Sequence, residues 1–290
     1  LAEALTFHAF EIEGIEEGGQ NIPGHDYAVL DVKVLPNRAA DCLSHRGIAH
    51  ELSAILGMPL KSDPLRDPLP TFQKTDALKV AIEDPKKCPR YMGAFVKGVK
   101  IGPSPDWLKK ALESVGQRSI NNIVDATNYV MLNIGQPLHA FDAKKLVQKD
   151  GVYAINVRTA KPEEKITTLS NEEFTLSEGS LLITDANTGS AIGIAGVKGG
   201  KSAEVTLATT DIIIEAANFD GTITRRAAQS LKLFTDASMR FQNRPSPDLV
   251  AYGMRDVLAL IKDIARGEVV GVVDEYPARP KHRDAVSVSL

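Results

Sequence analysis

Two cysteines and six histidines are the side chains in this chain most readily put to chemical use. Their spacing argues against most of what they could do. Cys42 and Cys88 stand alone, with no C-x-x-C, a usage that suits a reducing compartment and no structural zinc. His45 and His50 are five apart and have no acidic or thiol partner motif, which argues against a metal there. No G-x-S-x-G elbow, HExxH, Walker A loop or G-x-G-x-x-G occurs, nor a Ser–His–Asp arrangement. The glycines at 193, 196, 199 and 200 sit between strand-like segments and read as tight turns. Glu215 follows the apolar run Ile212–Ile213–Ile214, which places a carboxylate at the rim of a core. By itself it reads as a glutamate on a solvent face, or as one paired with an arginine. His139 follows Pro137–Leu138 in what reads as a loop, and by itself is a half-buried structural histidine. Side-chain chemistry alone writes no mechanism.

The whole chain bounds the answer further. It has 290 residues, 43 % of them hydrophobic and 24 % charged. That length suggests roughly two domains, and the balance is that of an ordinary globular protein. A disordered tail, a collagen-like fibre and a small disulfide scaffold are excluded. The net charge of −3 excludes a non-specific DNA coater, because the global field does not attract a polyanion. The N-terminus has no basic segment followed by an apolar one, so no signal peptide is read. No apolar run approaches the ~20 residues that span a bilayer. The chain starts at Leu1, and residues 285–290 alternate like a strand stopped in mid-pattern. Both ends read as cut, which suggests a fragment of a longer cytoplasmic polypeptide.

Positioning of these side chains falls to a modest set of elements. The alternation over Phe7–Ile15 predicts a strand, Glu16–His25 a Gly-rich turn, and Val29–Val34 a second strand stopped by Pro36. Ser44 caps a helix with Ile48, Leu52 and Ile55 on one face, ended by Gly57. Pro59, Pro64, Pro68 and Pro70 then form a stiff linker. Beyond it, strands are expected at 78–82 and 94–101. Ser104–Pro105–Asp106 opens a helix that runs to Gly116. A second helix, opened by Arg118, carries Ile123, Val124, Thr127, Val130, Met131 and Ile134 at helical spacing and stops at Gly135. Short strands with turns fill 151–215, Arg225–Leu231 is helical, and Ser246–Pro247–Asp248 opens a long helix closed by Gly267. The fold class is α+β, with antiparallel strands predominating. Residues 1–63 read as a small N-terminal module, 64–275 as a larger mixed α+β domain, and 276–290 as the start of a further segment.

Three blocks of residues carry a resemblance. Leu35–Pro36–Asn37–Arg38–Ala39–Ala40–Asp41–Cys42 precedes His45–Arg46–Gly47–Ile48–Ala49–His50–Glu51–Leu52. Asn121–Asn122–Ile123–Val124–Asp125–Ala126–Thr127–Asn128–Tyr129 precedes Gly135–Gln136–Pro137–Leu138–His139–Ala140–Phe141–Asp142. The third joins Ala195–Gly196–Val197–Lys198–Gly199–Gly200, Ile214–Glu215–Ala216–Ala217–Asn218–Phe219 and Thr235–Asp236–Ala237–Ser238–Met239–Arg240–Phe241. In order and spacing, over nearly the whole chain, these resemble the β subunit of bacterial phenylalanyl-tRNA synthetase.

The resemblance implies that 64–275 is an editing domain, which hydrolyses tyrosine wrongly esterified to tRNA(Phe). Glu215 would accept the phenol hydroxyl that phenylalanine lacks. His139 would lie at the ester end, holding the terminal ribose or orienting water. Arg118 would contact a phosphate or the substrate. Gly199 would let backbone approach the substrate, and Thr235 and Ala237 would line the pocket. A catalytic part is thus implied for His139 and Arg118, and substrate binding for Glu215, Gly199, Thr235 and Ala237. With no activated protein nucleophile, water is expected to attack the ester directly, positioned by the protein and helped by the tRNA's own terminal hydroxyl.

The resemblance also implies partners. These are the acceptor end of tRNA(Phe) and the synthetase α subunit, with no membrane or DNA, and no cofactor in this piece. ATP and Mg serve the full synthetase, whose aminoacylating core lies outside this chain. Two departures stand out. Many family members insert an OB-fold tRNA-binding module between the first two strands, where only Glu16–His25 occurs here. The family's Arg-Phe-Glu-Arg-Gly-Val-Asp-Pro string is here Arg240–Phe241–Gln242–Asn243–Arg244–Pro245–Ser246–Pro247. The alternatives are a non-catalytic structural and RNA-binding part of the synthetase, and a protein-interaction module.

Overall fold

The structure, a computed structural model, describes residues 1–17, 28–277 and 287. The N-terminal part contains helix α1 (Ala2–His8), strands β1 (Glu11–Glu17) and β2 (Ala28–Lys33), the single turn α2 (Ala39–Cys42) and helix α3 (His45–Leu56). Leu5, Phe10 and Cys42 are buried there, with Ile48 and Leu52 packed against them. The alternation over Phe7–Ile15 misleads at its start, since the chain to His8 is helical. Leu5 supplies the buried contact of that turn while Phe7 stands in solvent. The turn expected at Glu16–His25 begins two residues late, because Glu16 and Glu17 belong to β1; the rest of it lies outside the described residues. So does the alternating run at 285–290, Ser287 aside. Helix α3 begins and ends as its residues dictate. Ser44 accepts a hydrogen bond from the Gly47 amide, and Gly57 adopts the left-handed cap.

The larger part runs β3 (Leu78–Ile82), β4 (Arg90–Lys97), α4 (Asp106–Glu113), α5 (Asn122–Ile134) and β5 (Leu138–Asp142). Then come β6 (Tyr153–Thr159), β7 (Lys165–Thr167), β8 (Glu173–Thr175), β9 (Leu181–Asp185), β10 (Ala191–Ile194), β11 (Lys198–Gly199) and β12 (Ile212–Asn218). Helices α6 (Gly221–Leu231), α7 (Asp236–Phe241) and α8 (Leu249–Ala265) and strand β13 (Glu268–Glu275) complete it. Two large sheets result, in the orders β13-β4-β12-β5 and β11-β10-β9-β6-β3, with β7-β8 as a separate two-stranded sheet. Their ladders are antiparallel except β3–β6. The protein is α+β.

Strand β12 explains the layering. All seven of its residues are buried, as in a strand covered on both faces. Ile212, Ile214 and Ala216 face α5 and α8, sharing a core with Ile123, Val130, Val257 and Ile261. Ile213 and Ala217 face the other way, sharing a core with Tyr91, Phe141, Ile155 and Ile183 of both sheets. One sheet is thus backed by helices and fronted by the second sheet, and β5 and β11 are edge strands.

Several element boundaries differ from expectation. The strand expected at 94–101 is β4, four residues earlier. Ser104 does not cap α4; its hydroxyl donates to Asp125 Oδ2 at 2.5 Å instead. Asn121 opens α5, accepting from the amides of Ile123 and Val124, so Arg118 lies in the preceding loop. Helix α6 starts four residues before Arg225, capped by Asp220. Helix α8 ends at a left-handed Arg266, while Gly267 serves close packing on Val96.

Candidate functional site

The string 135–142 shows how this sequence places a side chain. Gly135 adopts φ +88° and stops α5, a conformation that costs an L side chain strain. Gln136, wholly buried, then donates to the Ala217 carbonyl of β12 at 2.9 Å and to Pro137 at 2.8 Å. Asp142 closes the string, accepting from Thr209 Oγ1 at 2.7 Å and from the Lys144 amide at 3.0 Å. Between these anchors the chain is strand β5, so His139 is not in a loop. It sits directly opposite Glu215 of β12. Paired residues of an antiparallel ladder project from the same face, so the two side chains share the face that meets the second sheet.

Glu215 is only 6 % exposed and lies inside the core, deeper than the rim its apolar flank predicts. Tyr91 of β4, fully buried, donates its hydroxyl to Glu215 Oε2 at 2.9 Å. Burial pushes the carboxyl up from its ordinary 4.5 to about 8, against the opposing pull of the Tyr91 hydrogen bond. Among the described residues nothing donates to Oε1, and that atom is not sealed from solvent. Burial likewise drives the Tyr91 phenol and the Cys88 thiol well up, helped by the nearby Glu215. Both stay neutral at ordinary pH.

The His139 ring stacks edge-on against Phe141, 4.7 Å between centroids. Loss of water pushes its pKa down to about 4, so it is a neutral imidazole at neutral pH. Gly199, on edge strand β11 of the opposite sheet, lies against this ring. A Cβ at 199 would stand 2.5 Å from both Cε1 and Nε2. The space that Gly199 leaves open is therefore filled by His139. The Thr235 hydroxyl donates to the Val197 carbonyl at 2.9 Å and accepts from the Ser238 amide at 3.1 Å. It caps α7 with a reciprocal box and ties that helix to the turn before β11. Thr235 and Ala237 thus stand at the start of a helix. Ala237 packs against the inter-sheet core.

Arg118 is exposed and makes no ion pair among the described residues. Its loop is held on both sides. Ser119 Oγ and the Ile120 amide donate to the buried Asp125 at 2.6 and 2.8 Å. On the other side Gln117 Nε2 donates to Asp236 of α7 at 3.0 Å. Five of the six expected residues are thus linked by pairing, packing or a shared anchor, and Arg118 hangs on the loop tied to α7. The altered segment 242–247 is a backbone anchor. Its Pro245 carbonyl accepts from Asn218 at 2.8 Å and its Pro247 carbonyl from Arg90 at 3.0 Å.

Tyr91 is the site residue that sequence reasoning misses. No feature of the sequence marks it: its place rests on the pairing of β4 with β12, where it lies two residues from the glycine opposite Glu215, on a strand buried along nearly its whole length. A cavity of about 600 Å³ lies elsewhere, between β2, α3 and the end of α5, and neither Glu215 nor His139 lines it. No group of three or more His, Cys, Asp or Glu able to hold a metal occurs among the described residues.

A two-sheet α+β sandwich with a carboxyl buried between its sheets defines the class, and comparison with known proteins defines the family. Residues 87–266 match the B3/4 domain, and the chain belongs to that family. It is 40 % identical to the phenylalanine–tRNA ligase beta subunit of Rhodopirellula baltica over 91 % of this chain and 38 % of that one. Identity to the corresponding subunit of Anaeromyxobacter dehalogenans is 44 %, over 86 % of this chain and 30 % of that one. The chain spans about a third of the length of these relatives. A solved N-terminal fragment of the phenylalanyl-tRNA synthetase beta subunit from Pyrococcus horikoshii is 19 % identical. It aligns with a TM-score of 0.37 over 83 % of this chain and 67 % of that one.

Proposed function

We propose that this chain is a proofreading unit of a phenylalanyl-tRNA synthetase β subunit, hydrolysing tyrosine wrongly esterified to tRNA(Phe). The observation that carries the reading is the Glu215 carboxyl. It is buried between two sheets beside His139, with one oxygen unpaired, in a chain whose relatives are such subunits. A phenol hydroxyl is both donor and acceptor. With Glu215 held up near pKa 8, its acid proton on Oε1 donates to the phenol oxygen at neutral pH. Once ionised, the carboxylate accepts from the phenol instead. Phenylalanine offers neither, and leaves a buried polar group unpaired at a cost of about 1–3 kcal/mol.

Neutral His139 holds water or the terminal ribose at the ester, and its place is secured by Gly199. Arg118 meets phosphate of the acceptor end. Thr235 keeps α7 against the β11 turn, and the small Ala237 leaves room for a ring. Water adds to the ester carbonyl, the bond to the ribose oxygen breaks, and free tyrosine and tRNA leave. The partners are tRNA(Phe) and the α subunit, and the compartment is the cytoplasm. No cofactor serves this step, ATP and Mg belonging to the aminoacylation reaction of the full synthetase. No helix among the described residues is long and apolar enough to cross a membrane.

One observation favours the rival reading, a non-catalytic RNA-binding part of the synthetase: Glu215 already holds a phenol donor from its own chain, Tyr91. Glu215→Ala decides between them. The proposal expects the preference for Tyr-tRNA(Phe) over Phe-tRNA(Phe) in deacylation to fall by about 100-fold. Unchanged preference removes Glu215 from the role.

A further inference from the structure

We propose that Tyr91 is a positioning residue for tyrosine specificity: its hydroxyl anchors one oxygen of Glu215 and so aims the other at the incoming phenol. The inference rests on the editing reading above and names a residue to which the resemblance gave no part. Its basis is geometric. The residue of β4 directly opposite Glu215 is Gly93, and Tyr91 pairs with Ala217, one step further on the same face. Gly93 offers no side chain, and the space beside it is taken by Leu78, whose Cδ2 would lie 2.9 Å from a Cβ there. From that side Tyr91 reaches the carboxyl and bonds Oε2 at 2.9 Å.

The terminal torsion of a glutamate is soft and nearly two-fold. Without an anchor, the carboxyl in this pocket turns freely and either oxygen carries the acid proton. A phenol O–H directed at Oε2 occupies that oxygen as an acceptor. The proton of the neutral acid is then held on Oε1, the oxygen left for a ligand. The ionisable groups around Glu215 are Tyr91 and Cys88 from the β4 side and His139 from β5. The first two stay protonated well above neutrality and His139 is uncharged above about pH 4. Glu215 alone in this group changes charge near pH 8, so its titration can be followed without interference from its neighbours.

Tyr91→Phe removes the anchor and little else. Deacylation of Tyr-tRNA(Phe) and Phe-tRNA(Phe) is measured for wild type and variant, each checked for folding by its melting curve. Infrared difference titration of the Glu215 carboxyl band, assigned with Glu215→Gln, gives a second readout that a merely structural contact would not move. The proposal expects discrimination to fall about tenfold, chiefly through KM, and the carboxyl band to persist to higher pH. Should Tyr91→Phe fail to fold, 3-fluorotyrosine in place of Tyr91 makes a stronger donor of unchanged shape, and the band must then vanish at lower pH. A selective wild type whose Tyr91→Phe variant is equally selective overturns the role of Tyr91 and leaves the editing reading standing. A folded wild type that releases no tyrosine overturns the editing reading, and this role with it.

Discussion

At the residue scale, Glu215 is an acid held where its charged form is costly, and the cost has a measurable sign. The folded pKa is pushed up to about 8 from an ordinary 4.5. Between those values the unfolded chain has released a proton that the folded chain keeps, so stability falls as pH rises through that window and is level above it. Glu215→Gln abolishes this dependence. Its melting temperature relative to wild type should climb between pH 5 and pH 8.5, with a free-energy difference of at most about 4 kcal/mol; parallel curves would sink the assignment. A second expectation concerns Gly199. The added methyl of Gly199→Ala meets the His139 ring rather than open space. Tyrosine release should then fall about 100-fold from a displaced ring, with the fold retained. A variant of undiminished kcat/KM would show that His139 need not sit where it does. Neither residue's role could be read from chemistry in the sequence, because a lone glutamate after an apolar run and a lone histidine after Pro–Leu each have an ordinary structural reading. Their pairing is a matter of register between β12 and β5, separated by some seventy residues of chain.

Elements show why some of the fold was legible and some was not. Helix α3 was readable at both ends because Ser44 and Gly57 cap it, and α5 by its apolar spacing and its stop at Gly135, while its start at Asn121 rather than Arg118 was not. Strand β12 announced itself by three consecutive isoleucines. Helix α7 was missed because it is short, and its signal, a Thr–x–x–Ser capping box, is a weak one without the usual Glu. The helical start of the chain was missed because alternation of Phe10 and Ile12 extends by eye into residues that are helical for the sake of Leu5. Buried Asp125 is a further case. It has no role in the sequence reading, yet it gathers Ser104, Ser119 and the Ile120 amide around its carboxyl group. Asp125→Ala strands three donors and should destabilise the fold by about 3 kcal/mol. Urea unfolding tests this, and a loss under 1 kcal/mol would mean that water replaces the carboxylate without penalty.

On the scale of the whole molecule, the site exists because two sheets meet face to face and each presents an edge strand, β5 and β11, to the same place. Composition foretold a folded globular chain and the run of elements its α+β class, but not this meeting, which depends on strand order. Both thiols are free and buried, Cys42 with its pKa pushed up to about 12 by burial and its Asp41 neighbour, Cys88 by burial first and Glu215 second. Neither should react with a thiol reagent at pH 8 until the chain unfolds, when two equivalents should appear; a fast-reacting native thiol would contradict the packing around it. Editing is the one activity on which these roles depend, and the direct measurement is release of labelled tyrosine from Tyr-tRNA(Phe) by this chain, with Phe-tRNA(Phe) as control. An editing domain releases tyrosine fast and spares phenylalanine. A folded chain that binds tRNA(Phe) and releases neither amino acid, or both alike, contradicts the editing reading.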